Sequence, residues 1–300
     1  MATPTARFHW LLPAFLCAIG AAPVIEAASC GPAFKGQVSG GTGRFVVYDG
    51  LLYRNKPDLS ALGIERVAII DRGIWPPADP SMTPDPNRVA KVAGTFPDDD
   101  TPVVLDFERF PLTGSDATVH DSVTRLRAIL AAFRKQQPGR HYGFYAALPI
   151  SDYWRAVRLD PTDAKFKSWQ LDNDRLKSLE ADVDVLFPSL YTFYDDPEGW
   201  RNYAIAQICE ARRISKRPVI VFLWPEFHDS NQRVRNRFLA PDFWQMELDI
   251  ARRYADGIVL WGGYDLQNDH PRDWDETAPW WQVTKMFMSR VPRSPSATSP

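Results

Sequence analysis

Asp106 and Glu108 stand one residue apart at the end of the apolar run Pro102-Val103-Val104-Leu105. Side chains two positions apart on a strand share a face, roughly 6.5 Å from one another along it. Two carboxylates brought into one partly desolvated site do not both ionise readily, so one keeps a proton near neutral pH. Glycosidic cleavage needs such a pair: a carboxylic acid to protonate the leaving oxygen and a carboxylate to stabilise the developing cation. A strand that merely emerges into water also ends in charge, so the surrounding elements must decide between the two readings.

Those elements alternate regularly. Seven apolar runs read as buried strands: 44–49, 66–71, 102–108, 141–145, 183–191, 218–224 and 257–261. Between them, residues 116–137, 163–179, 199–214 and 241–254 carry apolar side chains at helical spacing. The acids of Asp195-Asp196-Pro197-Glu198 suit a helix start. Strands alternating with helices predict an α/β fold, a (β/α)₈-type barrel with seven clear strands, in one domain over 29–291. An open doubly wound sheet is the rival, but Asp49-Gly50-Leu51-Leu52-Tyr53 is no phosphate-binding glycine loop.

Active sites of such barrels form where the strands end. There the chain offers Asp49, Asp71, Asp106 with Glu108, Tyr145, Tyr191, Trp224 with Glu226, and Trp261. Acids and aromatic rings together are what a sugar site requires, since rings stack on pyranose faces. Asp49 and Asp71 read equally as ligands of sugar hydroxyls or as caps of the following turns. Asp152, Tyr153 and Trp154, after the fourth strand, are candidates for a further substrate subsite. Glu226, His228 and Asp229 share a loop but form no known metal spacing, and neither a metal nor a cofactor is expected.

Net charge is −2 and no basic run is present, which argues against a nucleic-acid partner and leaves a polysaccharide or oligosaccharide as the expected one. Residues 1–28 read as an export signal: Arg7, an apolar stretch from Phe8 to Ala22, then small residues up to Ala27-Ala28-Ser29. A secreted or periplasmic chain follows. Ala27-Ala28-Ser29-Cys30 also weakly resembles a lipoprotein cleavage site, which would put a lipid on Cys30. Cys30 and Cys209 either pair in a disulfide or stay free. Residues 292–300, rich in Pro and Ser, read as a disordered tail.

Four segments occur in order: Val104-Leu105-Asp106-Phe107-Glu108, Tyr142-Gly143-Phe144-Tyr145, Leu186-Phe187-Pro188-Ser189-Leu190-Tyr191 and Gly257-Ile258-Val259-Leu260-Trp261-Gly262. Together they resemble the hyaluronidases of glycoside hydrolase family 56, as a divergent, bacterial-type member. The resemblance implies substrate-assisted, retaining hydrolysis of β-linked N-acetylhexosamine glycans. Glu108 would be the acid/base and Asp106 would orient the substrate's acetamido group. Tyr145 and Tyr191 would hydrogen-bond around that group and Trp261 would line the pocket floor. The family's Trp after the first Asp is Phe107 here, its Trp-Arg-Pro is replaced by Arg109-Phe110-Pro111, and the first Tyr of its Tyr-Pro-Ser-Ile-Tyr strand is Phe187. The alternatives are a muramidase-like hydrolase of another barrel family, which would release muropeptides, and a non-catalytic glycan-binding protein on a hydrolase scaffold.

Overall fold

The computed structural model describes residues 30, 44–77, 79, 81–97, 99–265 and 267–292. The expected signal segment and residues 293–300 of the tail lie outside them. The strands are β1 (Val46–Leu51), β2 (Ile64–Arg66), β3 (Ala68–Ile70), β4 (Val103–Leu105), β5 (Tyr142–Phe144), β6 (Ile220–Leu223) and β7 (Gly257–Gly262). Their pairings are parallel, in the orders β2-β1-β7-β6 and β3-β4-β5. β2 and β3 are two halves of one run interrupted at Val67, so they join the two sheets.

Residues 185–192 close the remaining gap. Tyr145 is bridged to Phe187, Leu186 to Val219 and Ser189 to Phe222. The Ala146 N–H donates to the Phe187 carbonyl and the Ile220 N–H to that of Leu186, each at 2.9 Å. The result is a closed parallel α/β barrel with seven strand positions among the described residues, one fewer than a complete eightfold barrel.

Buried on both faces, these strands read as continuous apolar runs, but alternate residues serve different layers. Val104, Val185, Phe187, Tyr191, Ile220, Phe222, Trp224 and Val259 form one cluster inside the wall. Val103, Leu105, Tyr142, Leu186, Val221, Ile258 and Leu260 belong to the other, which packs against the helices. Gly143 is an inward position: a Cβ there would lie 2.1 Å from the Val185 carbonyl and 2.7 Å from the Phe187 ring. Glycine is what lets Phe187 fill the interior.

The helices are α1 (Pro86–Ala93), α2 (Asp116–Gln136), α3 (Tyr153–Ala156), α4 (Ala164–Asp174), α5 (Lys177–Glu180), α6 (Pro197–Ile214), α7 (Pro241–Tyr254) and α8 (Pro279–Met288). Asp196 caps α6 through the Gly199 N–H at 2.9 Å, with Pro197 in the first turn, the start its sequence predicts. The helix expected over 163–179 is two, broken where Arg175 and Leu176 turn out of α4. α1, α3 and α8 were not expected. α8 buries Trp280, Trp281 and Phe287. A hairpin, β8 (Tyr264–Asp265) and β9 (His270–Pro271), extends beyond β7.

Cys30 and Cys209 are bonded, which resolves the pairing in favour of the disulfide. With its sulfur bound to Cys209, Cys30 cannot also carry a thioether-linked lipid. Among the described residues, no helix is long and apolar enough to cross a membrane.

Candidate active site

Beyond the last residue of β4 the chain stays knitted into the wall: the Asp106 N–H donates to the Ile70 carbonyl at 2.8 Å, and the Tyr145 N–H to that of Leu105 at 3.1 Å. Val104 points inward and Leu105 outward, so Asp106 enters the mouth of the barrel half-buried while Phe107 turns back into the helix layer. Phe107 packs on Trp75 at 5.2 Å, and the Arg109 guanidinium lies 5.3 Å over the same indole. Phe107, where the resembled family has Trp, thus packs behind the mouth and also lines the cleft beside Glu108. Glu108 follows in a turn, exposed at the rim of a cleft of about 220 Å³ that it lines with Phe110, Leu112, Tyr145 and Ala146.

Burial is the main reason the Asp106 carboxyl is pushed up to about 7; the charges of Glu108 and Asp71 add to it. Glu108 is also raised, by its own partial burial. Both carboxyls therefore hold a proton more readily than free ones do, Asp106 near neutral pH. Asp71, expected as a substrate ligand, lies within electrostatic range of Asp106, but it is exposed and ion-paired with Arg72 at 2.9 Å. Its charge adds only a minor part to the rise of Asp106.

Tyr145 and Tyr191 come together, ring centroids 5.9 Å apart. The Tyr191 hydroxyl donates to that of Tyr145, which donates to Ser189 Oγ at 3.0 Å. Burial holds both phenols well above their ordinary range, so both act as neutral donors. Phe187, where the resembled family has a tyrosine, is fully buried beside Gly143, inside the wall and below the mouth. Trp261, half-buried, packs on the same interior cluster.

Two expected ligands are placed otherwise. Asp49 faces out of the barrel, because inward positions of β1 fall on Tyr48 and Gly50. It is ion-paired with Lys56 and accepts the Leu51 N–H at 3.0 Å, so it fastens the turn after β1. Trp224 does point inward, but only 2% of it is exposed. Its ring stands 5.4 Å from Tyr191 and faces Gly262, whose φ of +139° favours glycine and whose Cβ would come within 3.2 Å of the indole. Trp224 is a wall behind Tyr191 rather than an open stacking face.

Several supporting residues escape a reading of strand ends alone. Ser189 sits two residues before Tyr191 on the same face, a spacing that could have revealed it. Tyr203 donates to the Ser189 carbonyl at 2.8 Å and the Trp200 indole to that of Leu190 at 2.9 Å, so α6 holds the Tyr191 segment in place. Thr192 is tied to the buried Glu247 of α7, whose carboxyl burial raises well above its ordinary value. Glu226, also buried and raised by desolvation, contacts the Arg272 guanidinium at 2.8 Å, which opposes the rise. Burial lowers His228, keeping its imidazole neutral between the rings of Tyr191 and Phe193. Among the described residues, no cluster of His, Cys, Asp or Glu is arranged to hold a metal ion. A larger cavity, about 1060 Å³, opens where β1 and β2 begin, the end of the barrel opposite the carboxyl pair.

No protein-family model matches the chain, and no curated protein matches it either. Solved structures do. Bee venom hyaluronidase, in a monoclinic crystal form, superposes with a TM-score of 0.56 at 16% identity, over 73% of this chain and 91% of that one. Bee venom hyaluronidase in complex with a hyaluronic acid tetramer gives 0.56 at 17% identity, over 83% and 99%. What the chain shares with them at these identities is its fold, the parallel α/β barrel.

Proposed function

We propose that this protein is a glycoside hydrolase acting on β-linked glycans that contain N-acetylhexosamine, by substrate-assisted hydrolysis with retention. The observation that carries the reading is the carboxyl pair: Asp106 pushed up to about 7 beside a raised Glu108, in a barrel mouth next to two neutral tyrosines. Glu108, open to solvent, protonates the glycosidic oxygen. The acetamido oxygen of the substrate attacks the anomeric carbon, so the protein supplies no nucleophile. The proton that Asp106 holds in the resting site passes to Glu108 before the bond breaks, and Asp106, then ionised, accepts the acetamido N–H and stabilises the cationic ring. Tyr191 donates to the acetamido oxygen, exchanging its bond with Tyr145 for one with substrate. Water deprotonated by Glu108 then opens the ring on the same face. That bee venom hyaluronidase binds a hyaluronic acid tetramer on the same fold supports a polysaccharide substrate. We also propose that the chain works in an oxidising, extracytoplasmic compartment, a reading supported by its disulfide.

The test is release of reducing ends by the protein, beside Glu108→Gln, on hyaluronan, chondroitin, chitooligosaccharides and peptidoglycan. Cleavage of one of the first three, lost by roughly a thousandfold in the variant, is the expected result. Muropeptide release alone would favour the muramidase reading, and saturable binding without cleavage the glycan-binding one.

A further inference from the structure

Trp154, at 64% exposure, is the most open tryptophan among the described residues, and the active-site account above gives it no task. It belongs to α3, whose first turn is capped by Asp152 through the Arg155 N–H at 3.0 Å. Arg155 in turn pairs with Asp152 at 2.7 Å and Asp172 at 2.6 Å, so the platform is held before anything binds. Trp154 lies 5.1 Å from the Tyr194 ring and 5.4 Å from Tyr153.

These rings are not isolated from the carboxyl pair. From Tyr191 the centroids run 5.9 Å to His228, 4.8 Å to Phe193, 6.2 Å to Tyr153 and 5.4 Å to Trp154. These rings, buried or half-buried up to Trp154, pack one on the next, so Trp154 is joined by direct contact to a candidate substrate-binding tyrosine. A cleft of about 320 Å³ borders these rings, lined by Phe193, Tyr194, Ser230, Asn231, Gln232 and Arg233. Asn231 is fixed by donating to the Phe193 carbonyl at 2.7 Å, and Ser230 by His228 Nδ1 at 2.8 Å. The exposed Trp154 ring beside the half-buried Tyr194, which itself lines that polar cleft, matches a pyranose: an apolar C–H face for the rings, hydroxyls for the amides.

We propose that Trp154 and Tyr194 form a distal subsite that stacks a sugar ring of the bound glycan several residues from the cleaved bond. The proposal rests on the glycan-cleaving reading and adds to it a preference for long chains. The experiment compares kcat/KM on hyaluronan and chitin oligosaccharides, from tetrasaccharide to decasaccharide, for the wild type, Trp154→Ala and Trp154→Phe. We expect kcat/KM to rise with chain length in the wild type. In Trp154→Ala the long-to-short ratio falls roughly fivefold, through KM, and Trp154→Phe recovers most of it. Equal length dependence in Trp154→Ala and the wild type overturns the subsite while leaving the hydrolase reading intact. A wild type that neither cleaves nor binds any member of either series, nor chondroitin, overturns both.

Discussion

Asp106 carries the most informative charge in the chain because its two states have different consequences for stability. Its carboxyl ordinarily titrates near 3.8 and here near 7, burial being the first cause. A folded-state pKa above the unfolded one means that the fold binds the proton more tightly. The protonated side chain is therefore tolerated fully below about pH 4, and stability is lost as pH rises through about 7, where the buried carboxylate forms. Asp106→Asn removes that loss without changing the side chain's size. We expect the variant to be more stable than the wild type at about pH 8, on the order of 3 kcal/mol, with the difference vanishing toward pH 4. Urea denaturation at several pH values measures it; a difference independent of pH would show that Asp106 is not held in a desolvated site. A gain in stability on removing a strand-end carboxylate is the signature of a functional rather than structural acid.

At the level of elements, the wall of the barrel was legible and its inside-outside parity only partly so. The apolar runs, their parallel order and the helices at 116–136, 197–214 and 241–254 follow from hydrophobic patterning, which responds to burial alone. Parity does not, because a strand buried on both faces carries no alternation to read. Asp106 could be placed inside because Glu108, two residues on, repeats its chemistry. Asp49 had no such partner in sequence, and what receives it outside the wall is Lys56, seven residues away. Arg272 and Glu247 were invisible for a related reason: they meet Glu226 and Thr192 across large separations that no local spacing encodes. Gly143 shows how strictly parity is enforced once packed. A Cβ there would lie 2.1 Å from backbone, the Val185 carbonyl, which cannot swing aside as a flexible side chain would. Gly143→Ala should thus cost at least about 3 kcal/mol, read as a shift in the denaturation midpoint. An unshifted midpoint would mean that residues 185–192 do not sit against β5 as described.

For the molecule as a whole, a single covalent link spans most of the fold. The Cys30–Cys209 bond joins residues 179 apart in sequence, so the loop it closes contains β1 to β5 and the strand segment bearing Tyr191. Such a long loop restricts the unfolded chain strongly, and by chain entropy alone the bond stabilises the fold by about 5 kcal/mol. Its far end is on α6, the helix that holds the Tyr191 segment through Trp200 and Tyr203. Two consequences can be separated. If the bond acts through the unfolded chain, the double variant Cys30→Ala with Cys209→Ala melts well below the wild type, yet retains its kcat/KM at temperatures where it stays folded. If the bond instead positions α6, activity falls in step with stability, and Tyr203→Phe, which frees the Ser189 carbonyl, reproduces that fall. We expect the first outcome, because α6 is fully buried around Cys209 and is anchored by contacts on both sides of it, Tyr203 on one and the Glu210 pair with Asn173 on the other. Thermal melting of the oxidised wild type, the reduced wild type and the double variant, each with matched kinetics, distinguishes the two.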